Sequence, residues 1–490
     1  MPKDISADSK ISLAESLIPV IVLVATLAFN VFVFGDNALS GSNQFALLIG
    51  GAVAALIGFR ENVSFKHMMA KVGSNIETTT GAILILLFVG ALSGTWLISG
   101  IIPAMIYYGL DILSPSIFLP ACVLICSIIS IATGSSWTTT ATVGIALIAI
   151  GKSLGFDLGM VAGAVLSGAY FGDKLSPMSD TTNLAPAMSG TDLFTHIRYM
   201  LYTTIPSIII TLILFSVIGL LQSSKGDVDV TDMQEAITDT FTINPWLFLV
   251  PVLVIFLIVR KTEPLIALFI GTIGGAVLAL IFQPDIVVKI SGESELTFMS
   301  AYKGIINAIS GPAGIETSKE ELVDLFKSKG MAGMLNTIWL ILCAMTFGGF
   351  MEAIGALDKI SKSLLSLAKS VFGLFASTVA SCLALNITAS DQYLAIVVPG
   401  KMFKNAYKEK GLAPENLSRT LEDSGTVTSV LVPWNTCGAY QSNVLGVDVM
   451  TYAPYAFFNI ISPFMTLAFA AFGIKIKMLF DEKLSRNSIK

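Results

Sequence analysis

The chain alternates long apolar runs with short charged clusters, and the runs decide what it can become. From Leu17 to Phe34 there is no charged residue, and a helix needs about 20 apolar residues to cross the hydrocarbon core of a bilayer. Runs of this kind recur to the end of the sequence. With 54% hydrophobic and only 13% charged residues, against about 25% charged in an ordinary soluble domain, the chain has too little polar surface to stay dissolved. The fold class is therefore an all-α polytopic membrane protein. The first run is longer than a signal-peptide core and no small-residue cleavage site follows it, so it reads as a spanning helix.

Ten full spans are predicted, at about 16–35, 43–59, 79–99, 157–188, 194–221, 245–260, 264–282, 333–355, 415–445 and 451–474. Two further apolar segments, 116–152 and 370–405, are interrupted by polar residues and fit re-entrant hairpins of two half-helices better than single spans. Basic residues then fix the orientation. Arg60, Lys66 and Lys71, His196 with Arg198, Arg260 with Lys261, Lys359 to Lys410, and Lys475 to Lys490 all fall on one side if both termini, 1–15 and 475–490, are cytoplasmic and both interrupted segments enter and leave on the same side. The 222–244 linker has one lysine against Asp227, Asp229, Asp232, Glu235 and Asp239 and is placed outside. The polar loop 283–332 is outside too.

The halves 16–221 and 245–474 resemble each other. Ile49-Gly-Gly-Ala-Val-Ala-Ala-Leu-Ile57 matches Ile273-Gly-Gly-Ala-Val-Leu-Ala-Leu-Ile281, and the order of features repeats: spans, a hairpin, a polar-centred broken helix, a final span. Asp173 corresponds to Asp423, and Thr133-Gly-Ser-Ser136 to Ile387-Thr-Ala-Ser390. The stretches 101–114 and 355–368 read as interfacial helices. Each half then crosses about five times, an odd number, so the copies are predicted to be inverted, a plan that puts broken helices near the midplane of secondary transporters.

The chemistry is predicted where helices break. Non-helical backbone at membrane depth must line a cavity or bind something. Tyr170 to Pro186 carries Asp173, Asp180, Ser176, Thr181 and Asn183 among helix breakers. Leu421 to Thr436 offers Glu422, Asp423, Thr426 and Asn435. The hairpin tips add Ser135 and Ser136, and Thr388, Ser390 and Asp391. Carboxylate, hydroxyl and carbonyl oxygens are the ligands of a hard cation. A carboxylate at the centre of an apolar hairpin is costly unless paired, ligated or protonated, which singles out Asp391. The strongest candidates for a shared cation and proton site are Asp173, Asp180, Asp391 and Asp423. Lys174 fits either a counter-ion or a snorkelling residue. Glu422 and Asp423 fit either the site or a cytoplasmic rim beside Arg419.

Other classes are weak. The net charge of −5 and the absence of a basic stripe speak against nucleic acid. Cys122, Cys126, Cys343, Cys382 and Cys437, an odd count in apolar segments, are read as packing residues rather than a disulfide framework. His67 and His196 sit beside basic residues at membrane boundaries and read as interfacial, so an intramembrane hydrolase lacks its base. No cofactor motif occurs, and no enzymatic activity is expected.

Gly134-Ser-Ser-Trp-Thr-Thr-Thr140, Ser167 to Ala185 with its Gly-Asp-Lys core, Ala389-Ser-Asp-Gln-Tyr393, Leu417 to Ser429 and Pro433-Trp-Asn-Thr-Cys-Gly438 resemble the signature segments of the NhaC family of bacterial sodium/proton antiporters. The resemblance runs along nearly the whole chain and is thinnest at 283–332. It implies Na+ and H+ as transported ions, with Li+ left open, exchange at the bacterial inner membrane in the service of pH homeostasis, and a homodimer with paired hairpin tips and unwound helices. It also leaves an alternative, since some relatives exchange organic acids of the malate and lactate type with Na+ and H+.

Overall fold

The structure, a computed structural model, describes residues 11–34, 41–112, 114–222, 230–260, 262–317 and 326–479. Most of the 1–15 segment, the start of the 222–244 linker, the middle of the 283–332 loop and the tail beyond 479 lie outside the described residues.

Helices follow the apolar runs closely. The first half contains α1 (Leu13–Phe34), α2 (Ser42–Arg60), α3 (Phe65–Ile98), α4 (Ile101–Ile112) and α5 (Pro115–Thr133). Next come α6 (Ser136–Thr139), a π-helical turn (Thr140–Gly144) and α7 (Ile145–Ser153), then α8 (Leu158–Leu175), α9 (Asp180–Ser189) and α10 (Leu193–Gln222). The second half holds α11 (Val230–Thr240), α12 (Leu249–Val259), α13 (Pro264–Phe282), α14 (Pro284–Ser291), α15 (Phe298–Ser310), α16 (Leu335–Ala353), α17 (Ala356–Ser366), α18 (Val371–Thr388) and α19 (Gln392–Glu409). It closes with α20 (Pro414–Leu421), a π-helical turn (Glu422–Thr426), α21 (Thr436–Leu445), α22 (Val449–Tyr452) and α23 (Phe457–Ala471). The β structure among the described residues amounts to β1 (Ala313–Gly314) paired antiparallel with β2 (Lys327–Ser328), and a single bridge between Leu412 and Met478.

Eight of these helices are long and apolar enough to cross a membrane, or ten if two bent pairs each count as one span. The bent pairs are Met233–Thr240 with Pro245–Val259, at 85°, and Val449–Tyr455 with Phe457–Ala471, at 55°. The first arms of both expected hairpins, α5 and α18, meet this length test. The two broken segments do not: α8 has the length but is too polar, ending in Asp173 and Lys174, and α9, α20 and α21 are too short. Large apolar side chains lie exposed on the rim, among them Ile205, Ile209 and Ile213 of α10 and Phe269, Ile273 and Val277 of α13, as lipid contact requires.

Packing between the halves is reciprocal. Gly50 and Gly51 of α2 lie against Phe347 and Phe350 of α16. Gly271 and Gly275 of α13 lie against Leu92, Thr95 and Trp96 of α3, and the Trp96 indole donates to the Gly271 carbonyl at 3.1 Å. The second predicted span of each half, α2 and α13, thus packs on the third predicted span of the other, α16 and α3, and the repeated Ile-Gly-Gly-Ala-Val segments contribute to the small faces. Within the first half, Gly168 and Gly172 let α8 approach α5 so closely that the Ser130 hydroxyl reaches the Ala169 carbonyl at 2.6 Å.

Three local expectations need correction. The Lys66–Lys71 stretch is not a loop: Ser64 caps α3 by accepting from the His67 backbone N–H at 3.2 Å. α3 then runs 34 residues, about 51 Å at 1.5 Å per residue, so its first turns, with Lys66, His67 and Lys71, stand beyond a core about 30 Å thick. The 283–332 loop contains the amphipathic helices α14 and α15. His196 is not interfacial but fully buried, its Nδ1 lying 2.8 Å from the Ser418 hydroxyl. The five cysteines are free and buried.

Candidate functional site

The first break is built by local chemistry. α8 ends just after Asp173 and Lys174. Ser176 turns to extended backbone, and Pro177 has no N–H to continue the helix. Ser179 caps α9, accepting from the Thr182 N–H at 3.4 Å. The Thr182 hydroxyl in turn donates to the carbonyls of Asp173 and Lys174, at 3.2 and 3.1 Å, the first of which also accepts from the Ser176 N–H at 3.1 Å. Asn183 Nδ2 closes the loop onto the Pro177 and Ser179 carbonyls at 2.9 and 2.7 Å. Ser176 Oγ accepts from the Met178 N–H at 3.3 Å, and the Ser179 and Thr181 hydroxyls lie 3.2 Å apart.

The first hairpin tip lands on this break. Gly134 has φ +70°, and a Cβ there would stand 2.6 Å from the Cβ of Met178, so only glycine fits. Ser135 caps α6 through the Thr138 N–H at 3.1 Å. The backbone N–H and the hydroxyl of Ser136 then both donate to Asp173 Oδ2, at 3.0 and 2.6 Å. This tip grips a carboxylate.

The second break is held by amides. After the π-helical turn the chain passes through a short 3-10 turn to an extended Val432 before α21. Asn386 Nδ2 donates to the Gly425 carbonyl at 2.8 Å and to the Thr428 hydroxyl at 3.0 Å. Asn435 Nδ2 donates back to the Asn386 carbonyl at 3.1 Å while its Oδ1 caps α21. Trp434 Nε1 reaches the Ile387 carbonyl at 2.9 Å, and the Thr436 N–H reaches the Ser390 carbonyl at 3.0 Å. Ser390 adopts φ +59°, a conformation that costs a non-glycine residue energy. Asp391 caps α19 by accepting from the Leu394 N–H at 3.0 Å. Thr388 bonds back to the Ala384 carbonyl at 2.8 Å. The hydroxyls of Ser390 and Thr426 are buried without hydrogen-bond partners among the described residues.

Between the breaks lies a charge cluster. The Lys174 ammonium is fully buried and pairs with Asp423 of the other half, which also accepts from the Thr466 hydroxyl. Lys174 does not snorkel, and Arg419, Glu422 and Asp423 are all buried rather than on a rim. Lys174, Asp173 and Asp423 all act electrostatically on Glu422, yet both Glu422 carboxylate oxygens lack a hydrogen-bond partner among the described residues. Trp137 of the first tip stacks on Tyr440 of the second broken segment at 4.0 Å, and the Tyr440 hydroxyl donates to the Trp137 carbonyl at 3.1 Å.

The sequence candidates thus separate. Asp173, Ser136 and Asp423 belong to one buried region with Lys174. Asp391 is buried but spent on capping. Asp180 is exposed, 3.5 Å from the Tyr393 hydroxyl, and Asn183 is exposed and serves the loop. Among the described residues no three His, Cys, Asp or Glu side chains are close enough to hold one metal ion together. A cation here would take one carboxylate with hydroxyl and carbonyl oxygens. Sequence reasoning did not select Glu422, although it adjoins Asp423. It missed Thr466, which carries no signal beyond being polar in an apolar run.

Comparison with known proteins bears on the same residues. Residues 168–474, which hold both broken segments, match the model of the Na+/H+ antiporter family. The chain is 36% identical to the Na(+)/H(+) antiporter NhaC of Alkalihalophilus pseudofirmus, over 96% of this chain and 97% of that one. It is 38% identical to the Malate-2H(+)/Na(+)-lactate antiporter of Bacillus subtilis, over 93% and 92%. Among solved structures, MtrF of Neisseria gonorrhoeae is a distant likeness, 13% identical over 93% of this chain and 94% of that one, with a TM-score of 0.38.

Proposed function

We propose that this chain, which belongs to the Na+/H+ antiporter family, exchanges Na+ for H+ by letting the two cations compete for buried carboxylates between its broken helices. The observation that carries this reading is the charge balance around Glu422. Lys174 supplies one positive charge against the carboxyls of Asp173, Glu422 and Asp423. Asp423 takes the ammonium and Asp173 takes the Ser136 donors. Glu422, at no exposure, with the Thr426 hydroxyl near it but no well-formed hydrogen bond among the described residues, is tolerable only with a proton or a cation upon it. Two uncompensated carboxyls are what an exchanger needs, one state carrying protons and the other Na+. Asp173 is the proposed point of competition between Na+ and H+, its Na+ shell completed by the hydroxyl of Ser136 and carbonyls at the break, and Glu422 is a second proposed proton carrier. Asp391, with Thr388, Ser390, Thr426 and Asn435, forms a second oxygen-rich surface at the other tip. Asp180 stands at the outer edge, beside Tyr393.

The reciprocal packing of the halves supports an inverted repeat, and the basic clusters support a cytoplasmic location for both termini in a bacterial inner membrane. A homodimer is what the family resemblance implies and is part of the same proposal, with Li+ left open as a second transported cation.

A second reading has one observation in its favour. Arg419 is fully buried, and its Nε and Nη2 have no hydrogen-bond partner among the described residues. A donor-rich cation of this kind suits an organic carboxylate, and one relative is named for malate and lactate exchange. Proteoliposomes with a trapped pH dye decide between the readings. Sodium alone should discharge an imposed proton gradient, and Asp173→Asn or Glu422→Gln should abolish the signal. Discharge only when malate or lactate is added with sodium would install the organic-acid exchanger instead.

A further inference from the structure

A cavity of about 420 Å³ opens where the start of α10 meets the chain after α23, away from the breaks; it is lined by Thr195, Arg198, Tyr199, Tyr202, Glu415 and Lys475 to Lys477. Its wall is built rather than incidental. The 475–479 stretch is pinned to α20 by the Ala413 N–H to the Lys477 carbonyl at 2.9 Å and Asn416 Nδ2 to the same carbonyl at 2.7 Å. The Tyr199 hydroxyl donates to Asn416 Oδ1 at 2.7 Å and also contacts the Lys475 carbonyl.

Among the described residues the charges are unbalanced toward positive. Glu415 pairs with Lys477 at 2.5 Å, and Asp192 is engaged in capping α10 through the Thr195 N–H at 2.9 Å. Arg198 and Lys475 remain on the lining, with the Lys475 ammonium over the Tyr202 ring at 4.8 Å. Behind the wall, the buried Arg419 guanidinium lies 4.6 Å from the Tyr199 ring and 3.4 Å from the Lys475 carbonyl. An exposed apolar stripe continues from the cavity along α10. Arg198, Tyr202, Ile205, Ile209 and Ile213 follow helical spacing along one face of α10, and the last four are all at least 40% exposed.

We propose that this cavity binds the phosphoryl headgroup of an anionic phospholipid, with the acyl chains lying along the Ile205–Ile209–Ile213 stripe. Cationic pockets between helix ends suit such headgroups, and a soluble anion would have no use for the apolar stripe that continues from the cavity. The site is separate from the proposed exchange site, and its test reads binding rather than transport. Purified full-length protein in detergent is titrated with phosphatidylglycerol and retained lipid is counted by native mass spectrometry. Each cation near an anionic lipid is worth about fivefold in binding, so Arg198→Ala/Lys475→Ala should weaken retention by about 25-fold, and Arg198→Gln alone by about fivefold. Arg260→Ala, a basic residue at another helix end, should stay within about twofold of wild type, and phosphatidylcholine should show no difference among the variants. A circular-dichroism melt of each variant checks that the protein is folded, and the single Arg198→Gln change carries the test if the double variant is unstable. Equal phosphatidylglycerol retention by wild type and the folded variants would overturn the proposal. So would full displacement of the lipid by inorganic phosphate, which would make the cavity a soluble-anion site.

Discussion

The Lys174–Asp423 pair joins the two halves inside the protein, and its energetics can be dissected. Removing one partner leaves the other buried and uncompensated, which costs about 3–5 kcal/mol, whereas removing both charges is often nearly neutral. Lys174→Met strips Asp423 to its Thr466 donor. Asp423→Asn keeps that acceptor but leaves the ammonium with the Phe458 ring, 5.7 Å away, and the unbonded charge of Glu422. Each single change should cost about 3–5 kcal/mol, and the double change about 1 kcal/mol or less, a coupling of several kcal/mol. An unfolding entropy of about 2 cal/mol/K per residue gives about 1 kcal/mol/K for 490 residues. The single variants should therefore melt about 3–5 °C lower and the double variant close to wild type. The assay is the thermal melt of purified protein in one detergent at fixed pH and sodium. Additive losses in the double variant would refute the reasoning, because they would mean that the two groups do not compensate each other. A double variant that recovers its melting temperature but not exchange would show that the pair also serves transport.

Three further outcomes follow. Ser136→Ala deletes a 2.6 Å bond to Asp173; hydrogen bonds to charged groups are worth about 1.5–3 kcal/mol, so half-saturating sodium in the liposome assay should rise by about tenfold or more, and an unchanged value would detach the tip from the site. Gly172→Ala would place a Cβ 2.5 Å from the Ser127 carbonyl and 2.6 Å from the Ser130 Cβ, so folded yield on size-exclusion chromatography should collapse, where Gly292→Ala at an open, left-handed position should cost far less. Asp192→Ala removes the cap of α10 and should cost about 1 kcal/mol; its carboxyl is held below the usual range by the Thr195 hydrogen bond, so the contribution is present above about pH 4 and fades as the pH falls through the lowered value, and a melt series over pH should show variant and wild type converging only in acid.

Helix positions were legible because apolar length is nearly a sufficient code for a spanning segment. The breaks were legible too: Gly134, Pro177 and the polar run after Leu421 interrupt that code where the chain has a use for bare carbonyls. Which polar residues meet across the break was not legible. Asp173 and Asp423 look equivalent in sequence, yet one takes the Ser136 donors and the other takes Lys174 from the opposite half, a pairing 249 residues apart. Asp180 and Asp391 have the same chemistry as Asp173, but a helix register places Asp180 outside and a capping geometry occupies Asp391. Local sequence specifies the oxygen-rich segments, and only tertiary packing sorts them.

That sorting makes the two halves unequal in a way that matters to exchange. The second tip is held chiefly by Asn386, Asn435 and Trp434, none of which titrates, and its one carboxyl, Asp391, is a helix cap that accepts from the Leu394 N–H. The first tip holds Asp173 Oδ2 through two donors of Ser136, and those bonds need the oxygen as an acceptor. In the proposed exchange, Na+ at Asp173 would leave the carboxylate ionised and the grip intact. A proton on Oδ2 opposes both donors at once and loosens it. The Trp137–Tyr440 stack then carries any displacement of the first tip to the second broken segment, where Glu422 and Asp423 sit within the π-helical turn. On the proposed mechanism, cation identity is thus converted into position at the first tip and passed to the segment that holds Glu422 and Asp423.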